Sequence, residues 1–147
     1  MLKLLQKVKK IITDLVSALS AVHKKGIFHL DIKPDNILLT PEGQLVLIDF
    51  GSAKQTFSSS MGTSSTRTFT ESYAAPEVLA GGEVGVESDI FEVGMMVYEM
   101  LTGKLPPNAL KRSLSKDGKN WRPQDLESSW YKLVMSALAL EKEKRRH

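Results

Sequence analysis

The sequence predicts a mainly α-helical domain that carries one small β-hairpin. Three observations predict it. Apolar residues recur at helical spacing ahead of Gly26 and again after Leu126. A mostly apolar segment runs from Ser88 to Gly103. Two short apolar runs flank a Pro/Gly turn at Thr40–Gly43.

In the first helix, Ile11, Ile12, Leu15, Val16, Leu19 and Val22 form one stripe. Gly26 stops it, with Lys24 and Lys25 in the last turn, where cations suit the helix dipole. His23 reads as a helix residue near the surface. Ile37–Leu39 and Leu45–Ile48 are the hairpin strands, and in the "TPEG" turn Pro41 presets its own φ while Gly43 tolerates a positive one. From Thr56 to Ser72, eleven of seventeen residues are Ser or Thr, which reads as a loop too polar to bury. Pro76 starts a short helix that Gly81–Gly82 ends. Ile90, Phe91, Val93, Met95, Met96, Val97, Met100 and Leu101 cover most of the next helix's circumference, as in a helix of a protein interior. Lys104–Pro123 reads as loop with a turn at "SKDGKN". Leu126–Leu140 reads as a last amphipathic helix, followed by the solvated charges of "EKEKRRH".

A chain of 147 residues, 41% hydrophobic and 25% charged, can bury one core. Its net charge of +3 is not clustered, so no nucleic-acid partner is expected. The absence of cysteine excludes disulfides and thiolate metal sites. Gln6, Lys7, Lys9, Lys10 and Asp14 interrupt the early apolar residues, against a secretory signal. No run approaches the roughly 18 apolar residues that a membrane span needs. The expected setting is cytoplasmic, with no membrane partner.

The chemistry concentrates in "FHLDIKPDNILL" (Phe28–Leu39). The hairpin after Asn36 can fold the chain back and bring Asp49 beside it. An amide oxygen and a carboxylate are hard ligands suited to Mg²⁺, which takes one or two protein carboxylates plus substrate phosphates. A second carboxylate, Asp31, and a lysine, Lys33, beside such a metal fit phosphoryl transfer. Turn and capping duty is the alternative for all four residues, since Asp and Asn favour loops. His29 reads as a structural histidine that orients the loop.

"HLDIKPDN", "DFG" at Asp49–Gly51 and "APE" at Ala75–Glu77, in that order, resemble the H-R-D-x-x-x-x-N, D-F-G and A-P-E elements of Hanks-type Ser/Thr protein kinases. The resemblance covers almost the whole chain. It implies the large, C-terminal lobe of the protein-kinase-like α+β fold, residues 1–147, with an activation segment over about residues 49–77 and the amino-terminal lobe absent. It implies transfer of the ATP γ-phosphoryl to a protein Ser or Thr, using Mg²⁺. Asp31 would be the catalytic base, and Asn36 and Asp49 the metal ligands. Lys33 would contact the transferred group, as the mark of Ser/Thr specificity, and Thr70 would steady base and lysine. Asp89 would anchor the catalytic-loop backbone, and Arg145 would pair with Glu77.

Two features depart from the pattern. Leu30 stands where the family has the arginine that receives an activation-loop phosphate, so a loop that needs no phosphate is expected. No G-x-G-x-x-G, strand lysine or adenine hinge precedes His29. The expectation is a truncated chain with little activity alone, to which a separately encoded amino-terminal lobe or a longer native chain would restore the nucleotide clamp. The alternative is a non-catalytic kinase-like binding module or the product of a split gene.

Overall fold

Helix α1 runs Leu2–His23, starting well ahead of the stripe that predicts it. The computed structural model describes residues 2–50, 54–55 and 71–145. In α1 it buries Val8, Leu15 and Leu19, which share one helical face. Val16 belongs to the predicted stripe but is 51% exposed, because one residue turns the helix by about 100° away from Leu15. After α1 the Gly26 amide donates to the His23 carbonyl at 2.9 Å, with Gly26 at φ +74°, a left-handed exit that glycine makes without strain.

Strand β1 (Ile27–Phe28) pairs antiparallel with β4 (Lys54–Gln55). Strands of two residues are too short to show an alternating pattern, and the sequence does not predict this pair. The predicted hairpin is present as β2 (Ile37–Leu39) and β3 (Leu45–Leu47), in the register Ile37↔Leu47 and Leu39↔Leu45. Its turn closes with the Gly43 amide on the Thr40 carbonyl at 2.8 Å.

Among the described residues five α-helices follow: α2 (Pro76–Leu79), α3 (Val86–Thr102), α4 (Ala109–Ser113), α5 (Lys116–Lys119) and α6 (Ser128–Ala137). Helix α3 is the centre, packed against α1, α6 and β1. Its Phe91, Met95, Met96 and Val97 are fully buried, as an all-round apolar helix requires. A Cβ at Gly94 would stand 2.8 Å from the Ala137 Cβ and 3.0 Å from the Leu138 Cδ2, so glycine is what lets α6 approach α3.

Two predictions are corrected. Lys104–Pro123 is not all loop. Asn108 Oδ1 accepts from the Lys111 amide at 2.8 Å and Ser115 Oγ from the Gly118 amide at 3.0 Å, and these caps start α4 and α5. The last helix is also shorter than Leu126–Leu140. It gives way at Leu138, whose carbonyl is taken by the Arg112 Nη1 at 2.7 Å. The mainly helical class with one small hairpin stands, with the β1–β4 pair added. Most of the Ser/Thr-rich stretch lies outside the described residues.

Candidate active site

The loop between β1 and β2 is held from three sides. The Asp89 carboxylate, fully buried in the first turn of α3, accepts from the His29 amide at 2.9 Å and the Leu30 amide at 2.8 Å. It also bonds His23 Nε2 at 2.8 Å. Three residues on, Glu92 Oε1 accepts from the Ile32 amide at 2.9 Å. Two side chains of one helix thus capture three loop amides that no strand or helix would satisfy.

His29 closes the third side. Its Nδ1 accepts from the Asp31 amide at 3.0 Å, and its Nε2 donates to the Ile48 carbonyl at 2.9 Å. An Nδ1 that accepts carries no proton, so these two bonds require the neutral imidazole protonated at Nε2. The ring is fully buried and meets Phe50 edge-on, with centroids 4.5 Å apart. His29 orients the loop, as expected, and ties it to the residues that lead into Asp49.

On this frame sit the predicted residues. Asp31 is nearly buried. Asn36 donates through Nδ2 to the Asp31 carbonyl at 2.7 Å and to Asp31 Oδ2 at 3.3 Å, which leaves its Oδ1 facing away from Asp31. Lys33 is extended and partly exposed, immediately before a 3₁₀ turn over Pro34–Asn36. The Ile48 amide donates to the Asn36 carbonyl at 2.9 Å, extending the hairpin by one pair and setting Asp49 next along the chain. The fold-back that the sequence predicts is therefore formed, and it brings Asp31, Asn36 and the backbone of Asp49 together. Asp49 is exposed and left-handed at φ +61°, and Leu30 is left-handed at φ +69°. Non-glycine residues in that region cost of order 1–3 kcal/mol each and cluster at functional sites. At Leu30 the bond to Asp89 holds the conformation. Its side chain lies inside the core, where an arginine would not be tolerated unpaired. Thr70 and Gly51 lie outside the described residues.

The predicted Glu77–Arg145 pair is formed and bidentate, with Nη1–Oε2 at 2.7 Å and Nη2–Oε1 at 3.1 Å. Arg145 also donates to the carbonyls of Ala139, Glu87 and Leu140 and stacks over Phe91 at 4.9 Å. Burial pushes the Glu77 carboxyl up, but hydrogen bonds from Arg145 and from Ser88 Oγ, the latter at 2.7 Å, together bring it below its ordinary value.

Sequence reading missed two residues. His23 is no surface bystander but the third partner of Asp89. Glu92 was hidden among apolar neighbours. An acid set between apolar positions of a buried helix is itself the signal, since it must find a donor or stay protonated. Glu92 takes the Ile32 amide at one oxygen, its Oε2 has no partner among the described residues, and burial followed by the nearby Asp89 charge raises its pKa, favouring the neutral form.

The protein kinase domain family model matches residues 4–146. A serine/threonine-protein kinase of Arabidopsis thaliana, AtPK2/AtPK19, is 39% identical over 136 residues, covering 90% of this chain and 28% of that protein. The probable serine/threonine-protein kinase PknB of Lactococcus lactis is 37% identical over 97 residues, 66% of this chain and 16% of that one. Among solved structures, the Cydia pomonella granulovirus kinase PK-1 superposes with a TM-score of 0.72 at 26% identity, covering 95% of this chain and 54% of that chain. The chain thus spans less than a third of the length of these two relatives and about half of the viral kinase. The fold is kinase-like, and the chain belongs to the protein kinase domain family, alongside relatives that are serine/threonine kinases.

Proposed function

We propose that this chain is the large, C-terminal lobe of a Ser/Thr protein kinase, residues 1–147 with an activation segment over about 49–77. Its loop would serve transfer of the ATP γ-phosphoryl to a protein Ser or Thr. The observation that carries the reading is the closed frame around the loop. Asp89, Glu92 and His29 fix its backbone, Asn36 is bonded to Asp31, and the hairpin pairing of Asn36 with Ile48 supports a site shared with Asp49. Phosphoryl transfer is mostly positioning and charge stabilisation, and this is a positioning device.

The donor set fits Mg²⁺ brought with a nucleotide. Among the described residues no three His, Cys, Asp or Glu side chains gather as a cage. One amide oxygen and one carboxylate are what Mg²⁺ takes from a protein when phosphates and water supply the rest. Asn36 Oδ1 and the Asp49 carboxylate would hold the ion, which when bound neutralises phosphate charge. Asp31 receives the proton of the acceptor hydroxyl. Lys33 contributes positive charge toward the transferred group, and Thr70 would steady both. His29, held neutral by its two bonds, moves no proton.

The reading places the chain in the cytoplasm, where ATP is supplied. No described helix is long and apolar enough to cross a membrane. It needs a nucleotide-holding lobe, as a separate chain or as part of a longer one. With that lobe supplied, Mg²⁺–ATP should raise Tm, because a ligand that binds only the folded state stabilises it. Asp49→Asn should remove most of the shift. An undiminished shift in that variant would overturn the ligand assignment.

A further inference from the structure

Only two buried side-chain polar atoms lack a partner among the described residues, Glu92 Oε2 and Arg112 Nε. At Glu92, burial and the Asp89 charge favour the neutral carboxyl, which avoids a buried charge. Arg112 cannot avoid its own by losing a proton. Burial, with Arg145 and Arg122 nearby, lowers its pKa only to about 10, so it stays charged at neutral pH. The residue is 5% exposed. Nη1 is spent on the Leu138 carbonyl at 2.7 Å, and the guanidinium lies over Trp121 at 5.3 Å. Among the described residues no carboxylate pairs with it. A buried, uncompensated cation is costly, and its surroundings show what would compensate it.

Arg112 lines a cavity of about 580 Å³ beside α4 and the end of α6. Lys119, Arg122 and Lys144 line it too, against one carboxylate, Glu141, which stands 3.4 Å from Lys144. Four cations and one anion leave the lining at +3. No residue of the loop or hairpin described above takes part. The volume far exceeds that of a small inorganic ion, and Trp121, Met135 and Leu140 add apolar wall. We propose that this cavity binds a phosphate monoester, with Arg112 as the buried counter-charge, Arg122 and Lys119 closing on the phosphoryl oxygens, and the apolar wall taking the group that carries the phosphate. Charge-assisted bonds from a guanidinium fork suit such a group better than bonds from lysine alone. The phosphate could come from a phosphoserine or phosphothreonine peptide or from a small free phosphate ester.

The test uses Trp121 as reporter. The chain has two tryptophans, so Trp130→Phe leaves Trp121 alone. Inorganic phosphate, phosphoserine, a phosphoserine peptide and its unphosphorylated twin are titrated at low salt into the folded protein. A saturable change in Trp121 emission is expected for the phosphorylated probes and not for the twin, weakening as salt rises. The peptide binding tighter than phosphoserine assigns the source to a phosphoprotein; the reverse assigns it to a small ester. Arg112→Lys should weaken binding by about tenfold or more, the scale of a lost charge-assisted bond. Arg122→Gln and Lys119→Gln, which touch no core, should each weaken it by about two- to fivefold. Equal response to the peptide and its twin, or unchanged binding in both surface variants, overturns the site. The readout involves neither ATP nor transfer, so it stands or falls apart from the kinase reading.

Discussion

Arg145 and Arg112 are buried alike, 4% and 5% exposed, yet they keep different company. Arg145 meets Glu77 with both ends of its fork, fills its remaining donors with three carbonyls, and stacks on Phe91. Among the described residues, Arg112 has one carbonyl, one ring and no carboxylate. The first binds α2 to the segment after α6 and to the start of α3. The second leaves charge facing a cavity. The same side chain, equally buried, is a finished structural joint in one place and half of a binding site in the other, and the partner list decides which.

Breaking the finished joint should cost most. Arg145→Met leaves Glu77 charged and unpaired, a loss of about 3–5 kcal/mol by denaturant unfolding. Because Glu77 is held below its ordinary value, the stability it contributes is present above pH 4.5 and is lost as pH falls through its folded value. Wild type should therefore lose stability in acid, and the variant should lose less. A cost under about 1 kcal/mol would mean that the pair is ornamental.

Glu92 extends the contrast to a carboxyl, with the opposite sign. Its pKa is raised, so the folded chain holds a proton that the unfolded chain has released, and stability falls as pH rises from 4.5 toward the folded value. Glu92→Gln keeps an acceptor for Ile32 and removes the ionisation. It should be the more stable protein at pH 8, where wild type must hold an extra proton or bury a charge, and the gain should shrink toward zero near pH 4.5. A gain that does not vary with pH would contradict a buried protonated Glu92.

The smallest effect should come from the unfinished arginine. Arg112→Met exchanges an uncompensated charge for a side chain of similar length and should change stability by about 1 kcal/mol or less. A loss as large as that of Arg145→Met would show that Arg112 has a structural partner after all.

The sequence showed some of this and concealed the rest for physical reasons. The fold-back that sets Asp49 along the chain from the Asn36 pairing was legible because a Pro/Gly turn between two short apolar runs makes a hairpin. The Glu77–Arg145 joint was legible through resemblance, its bond geometry not at all. His23 escaped because a helix-end histidine looks the same whether or not a carboxylate 66 positions away reaches it. The short helices α4 and α5 escaped because one capping residue each, Asn108 and Ser115, had to outweigh a stretch rich in loop formers. The Arg112 cavity could not be read at all, since its residues come from α4, α5 and the loop after it, α6 and the segment after it, and only the fold assembles them.

A frame of Asp89, Glu92 and His29 that holds a site for phosphoryl transfer, with Asp31 as base, makes transfer depend on that one carboxylate. The direct measurement is transfer from labelled ATP, with Mg²⁺, to a generic protein acceptor, with the nucleotide-holding lobe supplied. The account predicts transfer by wild type and a drop of about 10²- to 10⁴-fold in Asp31→Asn, the usual worth of a positioned general base. Equal transfer by the two proteins, or no transfer by a wild type that binds Mg²⁺–ATP, would contradict it and leave a kinase-shaped binding module.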